Sequence, residues 1–204
     1  MVAKSTFMKL KENEREVRRS LIMDAAKALF AERPFHEIGM RDIAAEAGIA
    51  AGSIYRYFPS RDDLLMEALI HEVKASEQKI KSRLDEGMVT IEDFATGVIN
   101  HLLDNEIVVQ MMAHFNVRGE VDQDSLERFN TAQRSLFAMF DKALTDGGAV
   151  VEGDIRFFSH AFFASLIGIV MTFHNYPGRK NEEIRKHMER LALITATVFK
   201  KGMV

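Results

Sequence analysis

An all-α fold is predicted by three features of this 204-residue chain. Prolines occur only at 34, 59 and 177, apolar residues recur three or four apart over long stretches, and the alternation of a half-buried strand is nowhere sustained. Helices are expected at about 12–32, 40–47, 51–57, 61–85, 91–104, 106–117, 123–146, 153–175 and 182–201. Pro59 stops the third, and Gly87, Gly119, Gly147-Gly148 and Pro177-Gly178 separate the later ones. Thr90-Ile91-Glu92-Asp93 is a capping-box pattern, and Asp154 and Asn181 are expected to cap the last two helices.

The early helices carry the most specific signal. Arg41-Asp42-Ile43-Ala44-Ala45-Glu46-Ala47 places small and apolar residues at helical spacing, and Gly48 follows where a left-handed residue turns the chain sharply. Ile49 and Ile54 are then expected to face inward beside Ile43 and Ala47. Ala51, Gly52, Ser53, Tyr55, Arg56 and Tyr57 are left on an outward face that is small, polar and aromatic, as a groove-entering helix requires. Ser60-Arg61-Asp62-Asp63 starts the next helix with a second capping box.

These residues carry a resemblance. Ala25-Ala26-Lys27-Ala28-Leu29-Phe30, Met40-Arg41-Asp42-Ile43-Ala44, Ala47-Gly48-Ile49, Gly52-Ser53-Ile54-Tyr55-Arg56-Tyr57-Phe58 and Arg61-Asp62-Asp63-Leu64-Leu65 resemble the N-terminal domain of TetR (tetracycline-repressor-like) regulators in order and spacing. The resemblance implies an N-terminal three-helix helix-turn-helix domain with its arm over residues 1–60. A C-terminal helical effector-binding and dimerisation domain follows over 61–204. It further implies that Ala51, Gly52 and Ser53 face bases or sugar-phosphate, that Tyr55, Tyr57 and Arg61 hold phosphates of double-stranded DNA, and that Arg41 approaches a base. The chain departs from many relatives in two places: Gly39 stands where Thr or Ser usually precedes the first motif helix, and Ala50-Ala51 replaces a Ser-Lys pair. Alanine is a poor N-cap, which costs the recognition helix about 1 kcal/mol.

Charge agrees in direction. Residues 1–61 hold 11 Lys and Arg against 8 Asp and Glu, whereas the whole chain holds 27 against 30. Lys4, Lys9, Lys11, Arg15, Arg18 and Arg19 cluster ahead of the motif, where they can follow a phosphate backbone and release counterions. Without DNA, residues 1 to about 12 are expected to be a solvated, disordered tail.

Composition narrows the rest. The absence of cysteine excludes disulfides and thiolate metal sites. No apolar signal region opens the chain, and the run Ala161 to Phe173 is shorter than the roughly 20 residues of a membrane span, so a cytoplasmic protein without a membrane partner is expected. HExxH, a glycine-rich phosphate cradle and Gly-x-Ser-x-Gly are all missing, and Asp122-Gln123-Asp124 lacks the glycine and distal glutamate of a calcium loop. No catalytic residue, metal site or cofactor is expected.

The stretch 153–175 is apolar on all sides and must be covered on more than one. Phe158, Phe162, Ser165 and Ile169, with Met188, Leu191 and Thr195 of the last helix, are the expected dimerisation residues. They would form a four-helix bundle across a two-fold axis, as the resemblance implies. Such a homodimer would read a palindromic operator. In the middle third, soft and aromatic side chains suit a lipophilic or aromatic effector, with Phe94, Met111, Met112, Phe115, Phe129 and Phe137 as apolar candidates and His101 and Gln133 as polar ones. Most of these residues would equally serve as ordinary core. Effector binding is expected to shift the helix 61–85 and thereby lower DNA affinity. Because family members mostly repress, repression is the expected sign; an activator, or a dimeric ligand-binding protein without an operator, would share the same sequence features.

Overall fold

The computed structural model describes residues 2–33, 37–85, 90–118, 122–146, 153–174 and 176–203. In chain order the helices are α1 (Val2–Glu32), α2 (Met40–Glu46), α3 (Ala51–Ile54), α4 (Arg61–Asp85), α5 (Ile91–Asp104), α6 (Glu106–Arg118), α7 (Gln123–Asp146), α8 (Ile155–Phe173) and α9 (Asn181–Lys201). The packing separates into two compact units, Met1–Ala68 and Leu69–Val204, and the division falls within α4. The expected breaks at Gly87, Gly119 and Gly147-Gly148 lie outside the described residues.

In the first unit, α1 begins at Val2, ten residues earlier than expected. Residues 6–18 are helical although exposed all round, including the stretch up to about residue 12 where a disordered tail was expected. The stretch from Lys9 to Glu16 is rich in Lys, Glu, Arg and Leu, which are good helix formers, and no Gly or Pro interrupts the helix before Pro34. An i,i+4 pair of Glu14 with Arg18 at 2.5 Å adds support. The core is built from Ile22, Ala26, Ile38, Ile43, Ala44, Ile54, Phe58, Leu64 and Leu65, all essentially inaccessible to water. Gly39 opens α2 without a side chain, and the other half of the capping box is present: its N–H donates to Asp42 Oδ2 at 2.8 Å.

In the second unit, α5 packs along α9, and α8 lies against α9, α7 and α5. The core is aromatic. Phe94 of α5 lies 4.3 Å from Phe140 and 5.4 Å from Phe163 between ring centroids, and Phe162 meets Phe140 at 5.5 Å and Phe199 at 5.1 Å. Thr90 and Asp93 form the expected capping box of α5, and Asp154 caps α8 by accepting from the Arg156 N–H. Asn181 does not cap α9. The preceding Lys180 holds that position with no side-chain bond, and Glu182 and Glu183 in the first turn supply negative charge at the helix start instead. By length and composition α8 is apolar enough to cross a membrane, a test that the core helix of a soluble protein also passes. It is a helix of two faces. Phe162, Phe163, Leu166 and Val170 are buried in this unit, whereas Phe157, Ala161, Ala164, Gly168 and Met171 are exposed.

Candidate nucleic-acid interface

The turn between α2 and α3 is set by one residue. Gly48 has φ +68°, in the left-handed region, and a Cβ there would meet nothing within 4 Å, so conformation alone calls for glycine. Ile49 N–H closes the turn on the Ala44 carbonyl at 2.9 Å. After this turn α3 runs only four residues, ending three residues short of the expected 57. Its continuation tightens into turns in which Tyr57 and Phe58 both donate to the Ile54 carbonyl, at 2.9 and 3.0 Å. Ile54 and Phe58 point into the core, which fixes the opposite side of α3 outward.

That outward side holds Ala51 and Gly52, both exposed, Ser53, half-buried, and Tyr55, about half exposed at 51%. Gly52 differs from Gly48. Its backbone is not left-handed, and a Cβ there would meet nothing within 4 Å. The head itself therefore gives no reason for glycine at 52. Ala50 precedes α3 with no side-chain cap.

Other candidate contacts are tied into the head. The Tyr57 hydroxyl accepts from Arg18 Nη1 at 3.3 Å, and the Tyr57 carbonyl accepts from Arg19 Nη1 at 2.6 Å. Arg61 Nη1 donates to the Ile38 carbonyl at 3.0 Å, so this cation braces the loop before α2. Ser60 caps α4 by accepting from the Asp63 N–H at 3.1 Å. Arg41 is exposed on the first turn of α2. Arg19, which sequence reasoning grouped with the basic arm, is largely enclosed. Its guanidinium lies over the Phe58 ring at 4.4 Å and pairs with Glu67 at 3.1 Å. The heptad-like spacing of Arg19 to Ala26 and of Ile22 to Leu29, marking the buried face of α1, is the sequence signal that places Arg19 inward.

The family of bacterial regulatory proteins, tetR family, matches residues 22–68, the span from the core of α1 into α4. The chain is 30% identical over 145 residues to the HTH-type transcriptional repressor KstR of Mycolicibacterium smegmatis, covering 67% of both chains. The chain belongs to the TetR family. KstR of Mycobacterium tuberculosis is 28% identical over 139 residues, 67% of this chain and 62% of that repressor, so the likeness spans a little under two thirds of that relative's length. Among solved structures, FadR of Bacillus subtilis in complex with stearoyl-CoA superposes with a TM-score of 0.67 at 21% identity, covering 91% of this chain and 99% of that one. At that identity the likeness establishes the TetR fold in both units.

The candidate effector residues divide in this fold. Phe94, Met111 and Phe137 are buried; Phe94 and Phe137 sit in the aromatic core, where Phe137 meets Phe163 at 4.7 Å. Met112, Phe115, Phe129 and Gln133 are half-buried. His101 is committed to a bridge with α4, its Nε2 2.8 Å from Ser76 Oγ.

The dimerisation candidates need one correction. Phe162 and Met188 are fully buried within their own unit, where Phe162 packs on Phe140 and Phe199, so they serve internal packing. All-round apolar character in the sequence does not tell which residues face inward. Phe158, Ser165, Ile169, Leu191 and Thr195 are half-buried. The apolar side chains turned to solvent are Phe157 and Met171 on α8 and Leu193, Ile194 and Val198 on α9, none of which was singled out from the sequence as an interface residue.

Proposed function

We propose that this TetR-family chain is a sequence-specific DNA-binding transcriptional regulator, a dimeric repressor released from a palindromic operator by a lipophilic effector. The observation that carries the reading is the outward side of α3. On a head whose core is closed to water, Ala51 and Gly52 remain open and small enough for a groove wall to come close, beside the half-buried Ser53 and the exposed Tyr55. Arg18, which reaches the Tyr57 hydroxyl, and the exposed Arg41 supply positive charge on this head, and phosphate contacts by Tyr55, Tyr57 and Arg61 would complete the footprint.

Dimerisation is supported by the exposed side of α8 and α9. Small residues Ala161, Ala164 and Gly168 permit close helix approach, and Ile194 and Val198, each about 60% exposed, provide apolar surface that a second copy would cover. An effector that inserts among the phenylalanines and Met111 must displace close-packed rings. The ligand class is therefore apolar and bulky; an acyl thioester, the class bound by the B. subtilis relative, fits this demand, as does an aromatic compound. By linkage, an effector that favours a different placement of α4 weakens DNA binding by the factor with which DNA weakens effector binding.

The test is a titration of the protein–operator complex with acyl-CoA esters of graded chain length and with aromatic acids. Release by one series, with reciprocal loss of that ligand's affinity when operator is added, supports the reading. Ligand binding that leaves operator affinity unchanged removes the effector-released repressor from consideration.

A further inference from the structure

Among the basic-cluster side chains that the structure describes, Arg19 is the one cation that the fold encloses, with its side chain 16% exposed. Its fork is occupied on three sides. Nη1 donates to the Tyr57 carbonyl at 2.6 Å, Nη2 meets Glu67 Oε2 at 3.1 Å, and Nε lies 3.8 Å from Glu16 Oε1. The flat face of the guanidinium covers the Phe58 ring at 4.4 Å. These partners belong to three elements: Tyr57 and Phe58 to the segment leaving α3, Glu67 to α4, and Arg19 and Glu16 to α1. A planar, always-charged group with several fixed donors can join three elements in one geometry, and an ammonium cannot reproduce both the fork and the stacking. Its neighbour Arg18 is 52% exposed and reaches only the Tyr57 hydroxyl and Glu14, so the adjacent arginines face different surroundings.

We infer that Arg19 is a positioning residue for operator recognition: it fastens the end of α3 to α1 and α4 and makes no phosphate contact itself. The inference rests on the DNA-binding reading above and deepens it, since α3 has only four residues, no N-cap side chain and a glycine, and so has little stability of its own. What holds its pose is the turn closed by Ile49 on Ala44, the packing of Ile54, and the contacts on Tyr57 and Phe58.

The experiment uses the full-length protein and an operator fragment recovered by selection. Binding is followed by fluorescence anisotropy across a salt series, at a temperature where circular dichroism shows each variant fully folded. Arg19→Lys and Arg19→Met are both expected to lose about tenfold or more in affinity while the slope of log K against log salt stays at the wild-type value. Removing a phosphate ligand would instead reduce that slope by about 1. Glu67→Gln provides the complementary arm. Loss of a negative charge near DNA should tighten binding on electrostatic grounds alone, whereas a positioning role predicts weaker specific binding. If Arg19→Met does not fold, Arg19→Lys and Glu67→Gln carry the test. Wild-type affinity in folded Arg19→Lys overturns the inference, as does a slope lowered by about 1 in Arg19→Met. Salt-insensitive or absent DNA binding by the wild type overturns the DNA-binding reading itself, a result distinguishable because it appears before any variant is compared.

Discussion

Ser76 Oγ on α4 and His101 Nε2 on α5 are 2.8 Å apart. Because the serine hydroxyl donates to the Glu72 carbonyl at 2.8 Å, it accepts from the imidazole, which places the His101 proton on Nε2. Asn105 Nδ2 approaches Nδ1 at 3.3 Å as a donor, consistent with a neutral ring. Burial first, and Lys79 second, hold the His101 pKa below its ordinary value, against the opposing pull of Glu72 and Asp104.

This fixes a pH dependence. Above the ordinary histidine value of about 6.5 the ring is neutral in the folded and unfolded chain alike, and its full contribution to stability is present. As pH falls below that value the unfolded chain takes up a proton that the folded chain refuses, so stability is lost toward the depressed folded value. The melting temperature is expected to fall between pH 7.5 and 5.5, and His101→Gln, which cannot titrate, to flatten part of that slope. An unchanged slope in the variant would show that His101 is not responsible.

Gly48→Ala tests the α2–α3 turn. At φ +68° an L side chain costs about 1–2 kcal/mol, and no steric contact within 4 Å adds to it. Denaturant unfolding should show a loss of that size, and Gly48→Asn should recover part of it, because asparagine tolerates the left-handed region.

Gly52→Ala separates stability from recognition. In an ordinary helical backbone with open space around the Cβ, alanine is favoured by roughly 0.5–1 kcal/mol, so the variant should be as stable as the wild type or more so. If DNA occupies the space over Gly52, operator affinity drops by about tenfold or more. A more stable variant with undiminished affinity would mean that nothing comes close to this position.

Ile194→Asp combined with Val198→Asp addresses self-association. Both side chains are exposed in the single chain, so folding should survive while light scattering reports monomers in place of dimers. Phe162→Asp, which buries a charge in the aromatic core, should instead compromise folding. Dimers that persist in the double variant would place the interface elsewhere.

Much of this was legible in the sequence because it is local. Gly48 at a sharp turn, Thr90 and Asp93 as a capping box and Asp154 as a cap are short-range patterns, and helix ends from α4 to α7 lie within a residue of expectation. What was not legible is which face of a helix looks inward when both are apolar. Phe162 and Phe157 are the same residue type five positions apart on α8, yet one is fully buried and the other 74% exposed, because the packing of Phe140 and Phe199 from distant helices decides. Arg18 and Arg19 differ for a similar reason. The spacing of Arg19 to Ala26 puts Arg19 on the inward face of α1, but its partners Tyr57 and Glu67 arrive from distant segments that no local pattern shows. The length of α1 was missed because amphipathic patterning guides helix assignment, and the exposed turns from Thr6 to Arg18 have no core to pattern against.

In the proposed function α3 reads DNA from a two-fold dimer. Selection of genomic fragments by the purified protein at two salt concentrations, followed by footprinting of those recovered, tests it most directly. A palindromic footprint with half-sites about one helical turn apart is expected, with an affinity that falls steeply between low and high salt. Fragments recovered without a shared sequence, or binding that ignores salt, would contradict it.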